Sequence, residues 1–342
     1  MNSRYIFTSL TRISDLPDRD FQVSPLDKSS WETGDYVVCS VEKPRNQLRI
    51  ELINGRMADV SQGDLLVGAF GIRSATMEAT GTWEAVGEDH RMHALTGAGL
   101  FGKMTSRSTL LPDLIPIKYR GHVHIGGTKQ RMQDFLKPVP KKKYETPTVA
   151  IVGSSMSAGK TTVARIIIRQ FKMAGLSVLG AKLTGAGRYR DILSMHDAGA
   201  DYIYDFVDAG LPSTISDKES YLQAMDPVLS MMAGKDVDLA VIEIGASPLE
   251  PYNGEEAVSL IRGNVKCSVL CASDPYAVHG VMSAFHFKPD IVTGPASNTK
   301  AGIALIDKLC GVKAINLIDP KTAPDLRKIL AEKLNINFEQ VH

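Results

Sequence analysis

The sequence is poor in several things, and each shortage narrows what it can be. Its 342 residues contain four cysteines and two tryptophans, and aromatics make up only 6%. Cys39, Cys267, Cys271 and Cys310 are scattered, with no CxxC pair and no Cys/His cluster. This speaks against a metal site, and the cysteines read as reduced packing thiols, two of them inside the apolar run VKCSVLCAS. Charge of one sign is not in excess either: 39 Lys and Arg face 38 Asp and Glu, a net charge of +1. There is no global basic field for a nucleic-acid backbone and no acidic tail. No apolar run approaches the ~20 residues that span a bilayer. The first twenty residues, MNSRYIFTSLTRISDLPDRD, lack a long apolar core and a small-residue cleavage site. The expectation is a cytoplasmic protein with neither signal peptide nor membrane partner. What is present, 44% hydrophobic and 23% charged residues, excludes a largely disordered chain, and the length suggests about two domains.

The stretch 138–147, PVPKKKYETP, divides the chain. Three prolines stiffen it and remove donors, so it reads as a linker with its lysines in solvent. Residues 1–140 read as a β-rich domain, a small barrel or sandwich with little helix. Tyr36–Val41, 47–53 and 64–70 are short apolar or alternating runs bounded by turn residues. Asn54-Gly55 signals a hairpin whose two central residues need positive φ. Residues 76–86 and 92–96 are expected to pair around 87–90. His90, His93, His122 and His124 read as scattered surface histidines, and Trp31 and Trp83 as core or interface residues. Gly97, Gly99 and Gly102 read either as turn chemistry or as a loop approaching a ligand.

Residues 148–342 alternate strand and helix. Strands are expected at 148–152, 177–183, 238–244, 266–272, 291–294 and 312–317. Helices are expected at 161–174, 220–233, 277–287, 300–309 and 323–334. That alternation predicts an α/β fold, a parallel sheet flanked by helices.

The segment TVAIVGSSMSAGKTTVARIII, residues 148–168, carries the most chemistry. A buried strand enters a loop of small residues, and Gly-Lys-Thr-Thr opens a helix. Gly153, Ser154, Ser155, Ser157, Ala158 and Gly159 would turn backbone N–H groups onto an anion, with Thr162 and the helix N-terminus adding to the field. Lys160 would reach the β- and γ-phosphates, and the Thr161 hydroxyl would ligate Mg²⁺. The usual pattern places glycine six positions before the lysine, where Ser154 stands here. Either the loop is one residue longer, starting at Gly153, or Ser154 adopts the required conformation.

Ligands of open α/β sheets gather beyond the carboxyl ends of the strands. There Lys182 stands in AKLTGAGRYRD, where Arg188 and Arg190 would hold a phosphate or carboxylate and Asp191 would act as base or metal-shell ligand. Glu243 lies inside the apolar run DLAVIEIGAS, an expensive place for a carboxylate unless it is paired or metal-bound. Glu250 comes next as a weaker candidate. Asp274 and Asn298 read as helix caps or ligand contacts, Asn298 toward a nucleotide base.

The runs GSSMSAGKTT, KLTGAG and VIEIGAS resemble the dethiobiotin-synthetase-like branch of P-loop enzymes. That resemblance implies ATP, Mg²⁺ and an acidic substrate surrounded by an early Lys, a carboxylate strand and a late Asn. The closer similarity is to a P-loop family of unknown function, on Gly153–Thr161, Glu243, Asn298-Thr299 and Asp319-Pro320. One member is a D-amino-acid N-acetyltransferase, so acyl transfer from acetyl-CoA is implied as a rival. The similarity spans about residues 148–320 and departs from the family between Gly153 and Gly159.

The leading expectation is therefore an Mg²⁺- and ATP-dependent enzyme that transfers a phosphoryl group to a small anionic metabolite, or activates its carboxylate. Lys160, Lys182 and Glu243 would be catalytic. The alternatives are a CoA-dependent N-acyltransferase and a nucleotide-binding switch or partner-binding ATPase. A homo-oligomer is compatible with all three.

Overall fold

The computed structural model describes residues 5–43 and 48–338. The chain divides into two compact units. The first comprises Met1–Pro138 with two later segments, Ala186–Arg190 and Phe206–Ile215; the second comprises Val139–Gly185, Asp191–Asp205 and Ser216–His342.

The first unit is built on five strands: β1 (Tyr36–Val41), β2 (Leu65–Phe70), β3 (Arg91–Ala94), β4 (Leu100–Arg107) and β5 (Ile115–Ile125). They pair in the cycle β2-β1-β5-β3-β4, and β4 closes it by pairing with β2 in parallel. The result is a small barrel. Closure removes the unpaired edge that a five-stranded sheet would expose. Its interior holds Trp31, Phe70, Tyr119 and the aliphatic side chains of β1 and β5. Trp31 lies 4.6 Å from the ring centroids of both Phe70 and Tyr119. Gly99, at φ +89°, presses on Thr8, where a Cβ would come within 2.0 Å of Oγ1, and a Cβ on Gly102 would come within 2.8 Å of the Thr82 and Trp83 backbone. Both glycines serve barrel packing.

Three local expectations change here. Residues 76–86 do not pair with 92–96: the strand Ala79–Thr82 pairs with β4, while β3 lies between β4 and β5. At Asn54-Gly55 the chain does reverse, joining Arg49–Glu51 to Met57–Asp59, but only Gly55 has positive φ. Asn54 instead accepts a bond from the Arg56 N–H at 3.0 Å through its side chain, which stabilises the turn without a left-handed residue. The start of the expected 47–53 strand, Gln47, lies outside the described residues. Finally, His122 and His124 are buried rather than on the surface. His122 Nε2–H donates to Asp35 at 3.0 Å, and Nδ1 accepts from the Tyr119 hydroxyl at 2.6 Å.

The second unit is the α/β layer. Its strands are β6 (Thr148–Gly153), β7 (Val178–Thr184), β8 (Tyr202–Asp205), β9 (Leu239–Ile244), β10 (Val265–Cys271) and β11 (Ile291–Thr293). They form one parallel sheet in the order β8-β7-β9-β6-β10-β11. Its helices are α1 (Lys160–Met173), α2 (Tyr189–Asp197), α3 (Lys218–Ala233), α4 (Gly254–Ile261), α5 (Pro275–Phe285), α6 (Lys300–Cys310) and α7 (Ala323–Leu334). Val163, Ala164, Ile167, Ile168 and Phe171 recur at helical spacing on α1 and pack on Val149, Ile151, Val241 and Val269 of the sheet. Gly175, at φ +77°, stops α1, and the Gly175 and Leu176 N–H groups close on the Lys172 and Phe171 carbonyls. The expected strand at 312–317 contributes a single bridge, Ala314 to Val292. A tight turn at 316–319 bends the chain away before a ladder can extend.

The thiols of Cys39, Cys267 and Cys271 are buried and unbridged, as the sequence suggests. Among the described residues no helix is long and apolar enough to cross a membrane.

Candidate phosphate-binding site

β6 delivers the chain to the middle of the sheet, and α1 leaves from there. Between them lies the loop 154–159. Gly159 at its end takes φ +91°, a conformation that suits glycine, and its carbonyl accepts the Val163 N–H at 3.1 Å, starting the helix. Lys160 is the first helical residue, and its side chain folds back over the loop. Its ammonium donates to the Ser155 carbonyl at 2.7 Å.

That path explains why glycine stands at 153 and serine at 154. A Cβ on Gly153 would lie 2.7 Å from Lys160 Cδ and 2.8 Å from Nζ, so the lysine passes directly over the glycine. Ser154 keeps negative φ, and its N–H donates to the Cys271 carbonyl at 2.9 Å while its hydroxyl accepts the Ser273 N–H at 3.1 Å. It ties the loop to the end of β10. The loop therefore begins at Gly153, one residue earlier than the usual pattern.

Around the lysine the sheet assembles a row of charges. Asp205 on β8, Lys182 on β7 and Glu243 on β9 are register neighbours, with Ile151 of β6 next in line. All three charged side chains are buried. Lys182 Nζ bonds Asp191 at 2.6 Å. Burial alone would pull its ammonium down, but Asp191, Glu243 and Asp205 together outweigh that and leave its pKa raised. For Lys160 burial wins and its pKa is lowered, despite Glu243 nearby. Burial likewise raises the Glu243 pKa against the pull of Lys182 and Lys160.

Glu243 also accepts the Thr161 hydroxyl at 2.9 Å. The two residues that the sequence suggests for Mg²⁺ thus meet, one hydroxyl and one carboxylate, both hard oxygen donors. No group of three or more His, Cys, Asp or Glu suited to a metal occurs among the described residues. A single carboxylate with a hydroxyl fits the habit of Mg²⁺, which completes its shell with waters and ligand phosphates rather than with a protein cage.

The turn after β9 is strained. Ala246 sits at φ +56°, a left-handed conformation costly for a residue with a Cβ. It is held there by close packing on both sides. A Cβ on Gly245 would lie 2.0 Å from the Thr184 carbonyl, and the Ser247 N–H donates to the buried Glu250 carboxylate at 2.7 Å.

Other expected residues go elsewhere. Asp191 is engaged by Lys182, which joins it to the charged row. Arg188 and Arg190 have exposed side chains, and their segment groups with the first unit, where Glu51 accepts the Tyr189 and Arg190 N–H groups at 2.8 and 2.9 Å. Asp274 caps α5 through the Tyr276 and Ala277 N–H groups, both at 3.0 Å. Asn298 is exposed just beyond β11, and Thr299 caps α6. The sequence reading missed Asp205, because β8 itself, a four-residue strand YIYD, carries no strand pattern long enough to read.

No family model matches the chain, and no curated protein matches it. Several solved structures do in part. HypB from Helicobacter pylori in complex with nickel aligns at 17% identity over 58% of this chain and 92% of that one, with a TM-score of 0.38. Chloroplast FtsY from Physcomitrella patens aligns at 12% identity over 54% of this chain and 62% of that one, with a TM-score of 0.37. A DUF1611 family protein from Anabaena variabilis aligns at 14% identity over 59% of this chain and 63% of that one, with a TM-score of 0.36. The match thus spans less than two thirds of the FtsY and DUF1611 chains.

Proposed function

We propose that the second unit binds a nucleotide by its phosphates on residues 153–161 and transfers a phosphoryl group to a small anionic acceptor. The observation that carries this is the meeting of Thr161 with Glu243 at 2.9 Å beneath a buried Lys160. A buried ammonium that bonds only loop carbonyls costs the fold desolvation, and a phosphate would repay it. The resemblance of GSSMSAGKTT and VIEIGAS to P-loop enzymes supports the same reading.

In this reading the loop N–H groups and Lys160 hold the transferring end of the nucleotide. Thr161 and Glu243 hold Mg²⁺, which when bound would neutralise charge on the phosphates. Lys182 keeps a full positive charge through Asp191 and Asp205, and it offers that charge to an anionic acceptor at the end of β7. Fixed charges aimed at the reacting group lower the barrier without reorganising during the reaction.

Thermal shift of the parent and two variants tests it. Mg²⁺·ATP at 100 times its Kd should stabilise the parent by about 2.7 kcal/mol. Lys160→Met should stay folded without ligand and lose most of that gain. Glu243→Gln should still bind ATP but lose Mg²⁺-dependent turnover. Full ATP stabilisation of Lys160→Met would remove the phosphate assignment. Turnover that needs no acceptor would favour the nucleotide switch instead.

A further inference from the structure

A groove of about 650 Å³ runs along the outer face of α1 in the second unit. It starts at Thr162, immediately after the metal-site threonine, and passes Arg165 and Arg169 on the same helix face, with Arg327 of α7 across it. Ile166, Leu317 and Leu326 supply apolar wall. At 1.5 Å rise per residue, Arg165 and Arg169 stand roughly 5 and 10 Å beyond Thr162.

The charges in this groove are unusual. Arg165 and Arg169 are four residues apart on one helix, a spacing at which like charges repel. Neither has a hydrogen-bond or ion-pair partner among the described residues. Arg327 Nε–H donates to Gln170 Oε1 at 2.8 Å, which ties α7 to α1 beside them. Two carboxylates share the lining, Asp197 and Asp319, and Asp319 is occupied in capping the turn 320–322 through the Lys321 N–H at 3.0 Å. Three guanidiniums thus share the trough with two carboxylates, and its lining begins at Thr162, the residue after Thr161.

A nucleotide whose only charges are its 5′-phosphates leaves these arginines without a counterpart, because the loop takes those phosphates. A phosphate monoester on the ribose would supply the missing anion, with the two arginines roughly one and two helical turns beyond Thr162. We propose that the groove receives the nucleoside end of the ligand, and that Arg165 and Arg169, with Arg327, bind a ribose phosphate on it. This rests on the reading of residues 153–161 as a phosphate site and not on the phosphoryl transfer proposed above, for which coenzyme A and NADP carry no terminal 5′-phosphoryl group. Planar guanidiniums suit a phosphate dianion, since each can donate two parallel N–H bonds to it.

Two matched ligand pairs test the proposal by titration calorimetry on the full chain: coenzyme A against dephospho-coenzyme A, which differ in the 3′-phosphate, and NADP against NAD, which differ in the 2′-phosphate. ADP is the common control. The parent should bind the ribose-phosphorylated member of one pair roughly tenfold tighter than its partner, and the pair that shows it identifies the position. Arg165→Gln/Arg169→Gln, both exposed positions, should fold with an unchanged thermal midpoint and lose that preference. Binding of ADP with no preference in either pair would overturn the groove assignment and leave the loop reading standing. A preference that survives in the double variant would also overturn it. Failure of every nucleotide, ADP included, to bind the parent would remove both readings together.

Discussion

In the candidate phosphate site the Lys160 side chain and the loop backbone constrain one another. Gly153 is the plainest case, because the Lys160 chain crosses it at a distance that leaves no room for a methyl group. Gly153→Ala should fold, since the obstructing atoms are the far end of a flexible lysine. It should bind ADP at least tenfold more weakly, because Lys160 is pushed off its path. Titration calorimetry reads this directly, and equal affinity in the two proteins would show that the lysine is not positioned by that contact. In the barrel, His122 makes a different single-residue prediction. Burial lowers its pKa below 6.5 against the pull of Asp35, and burial together with Lys103 lowers that of His93. A group depressed in the folded state is protonated more readily by the unfolded chain, so stability is lost as pH falls below about 6.5. The thermal midpoint should drop between pH 7.5 and 5.5, and His122→Gln should flatten part of that slope. An identical slope in the variant would place the titration elsewhere.

Among the elements, the strongest sequence signals lie where local pattern and tertiary demand agree. The apolar run of β6, the small-residue loop and the periodic face of α1 all point the same way, and the structure has them within a residue or two of the expected bounds. The position of the loop 154–159 and the Thr161–Glu243 meeting were legible for that reason. Elements that depend on distant partners were not. β8 is four residues long and exists because β7 offers it an edge, so its Asp205 was invisible. The pairing of residues 79–82 with β4 skips β3, a choice made by barrel closure and not by any turn. Nothing local in the sequence shows that a groove lies beside Arg165 and Arg169. The junction of β7 and β9 yields a test at this scale. Gly245→Ala would place a methyl group against the backbone carbonyl of Thr184, which cannot swing aside as a side chain can. Overpacking of this kind costs about 1–3 kcal/mol, and the urea midpoint should fall accordingly. A variant as stable as the parent would mean that the 245–247 turn shifts freely, against the strained Ala246 beside it.

Across the whole molecule the two units are not successive lengths of chain. Residues 186–190 and 206–215 come after the phosphate loop in sequence yet group with the first unit. They are fastened there by Glu51 to the Tyr189 and Arg190 N–H groups, by Arg12 to Asp208 at 2.9 Å, and by Gln133 to the Gly210 carbonyl at 2.9 Å. The proline-rich stretch near 138 therefore marks only the first of the places where the chain passes from one unit to the other. A fragment of residues 139–342 should unfold less cooperatively than the full chain, with a lower denaturant midpoint, because those two segments lose every one of these partners. A fragment that unfolds as steeply and as late as the parent's second unit would show that the segments need nothing from residues 1–138.

This interleaving bears on how such a protein can be inherited. A gene that exchanged its first 138 codons for those of a distant homologue would join a foreign barrel to segments 186–190 and 206–215 selected against another one. Glu51, Arg12 and Gln133 would each have to find an equivalent in the newcomer. Recombination at the proline-rich boundary should therefore be disfavoured although the boundary looks modular. The three pieces of the first unit are expected to change together, as one heritable block encoded in separate stretches.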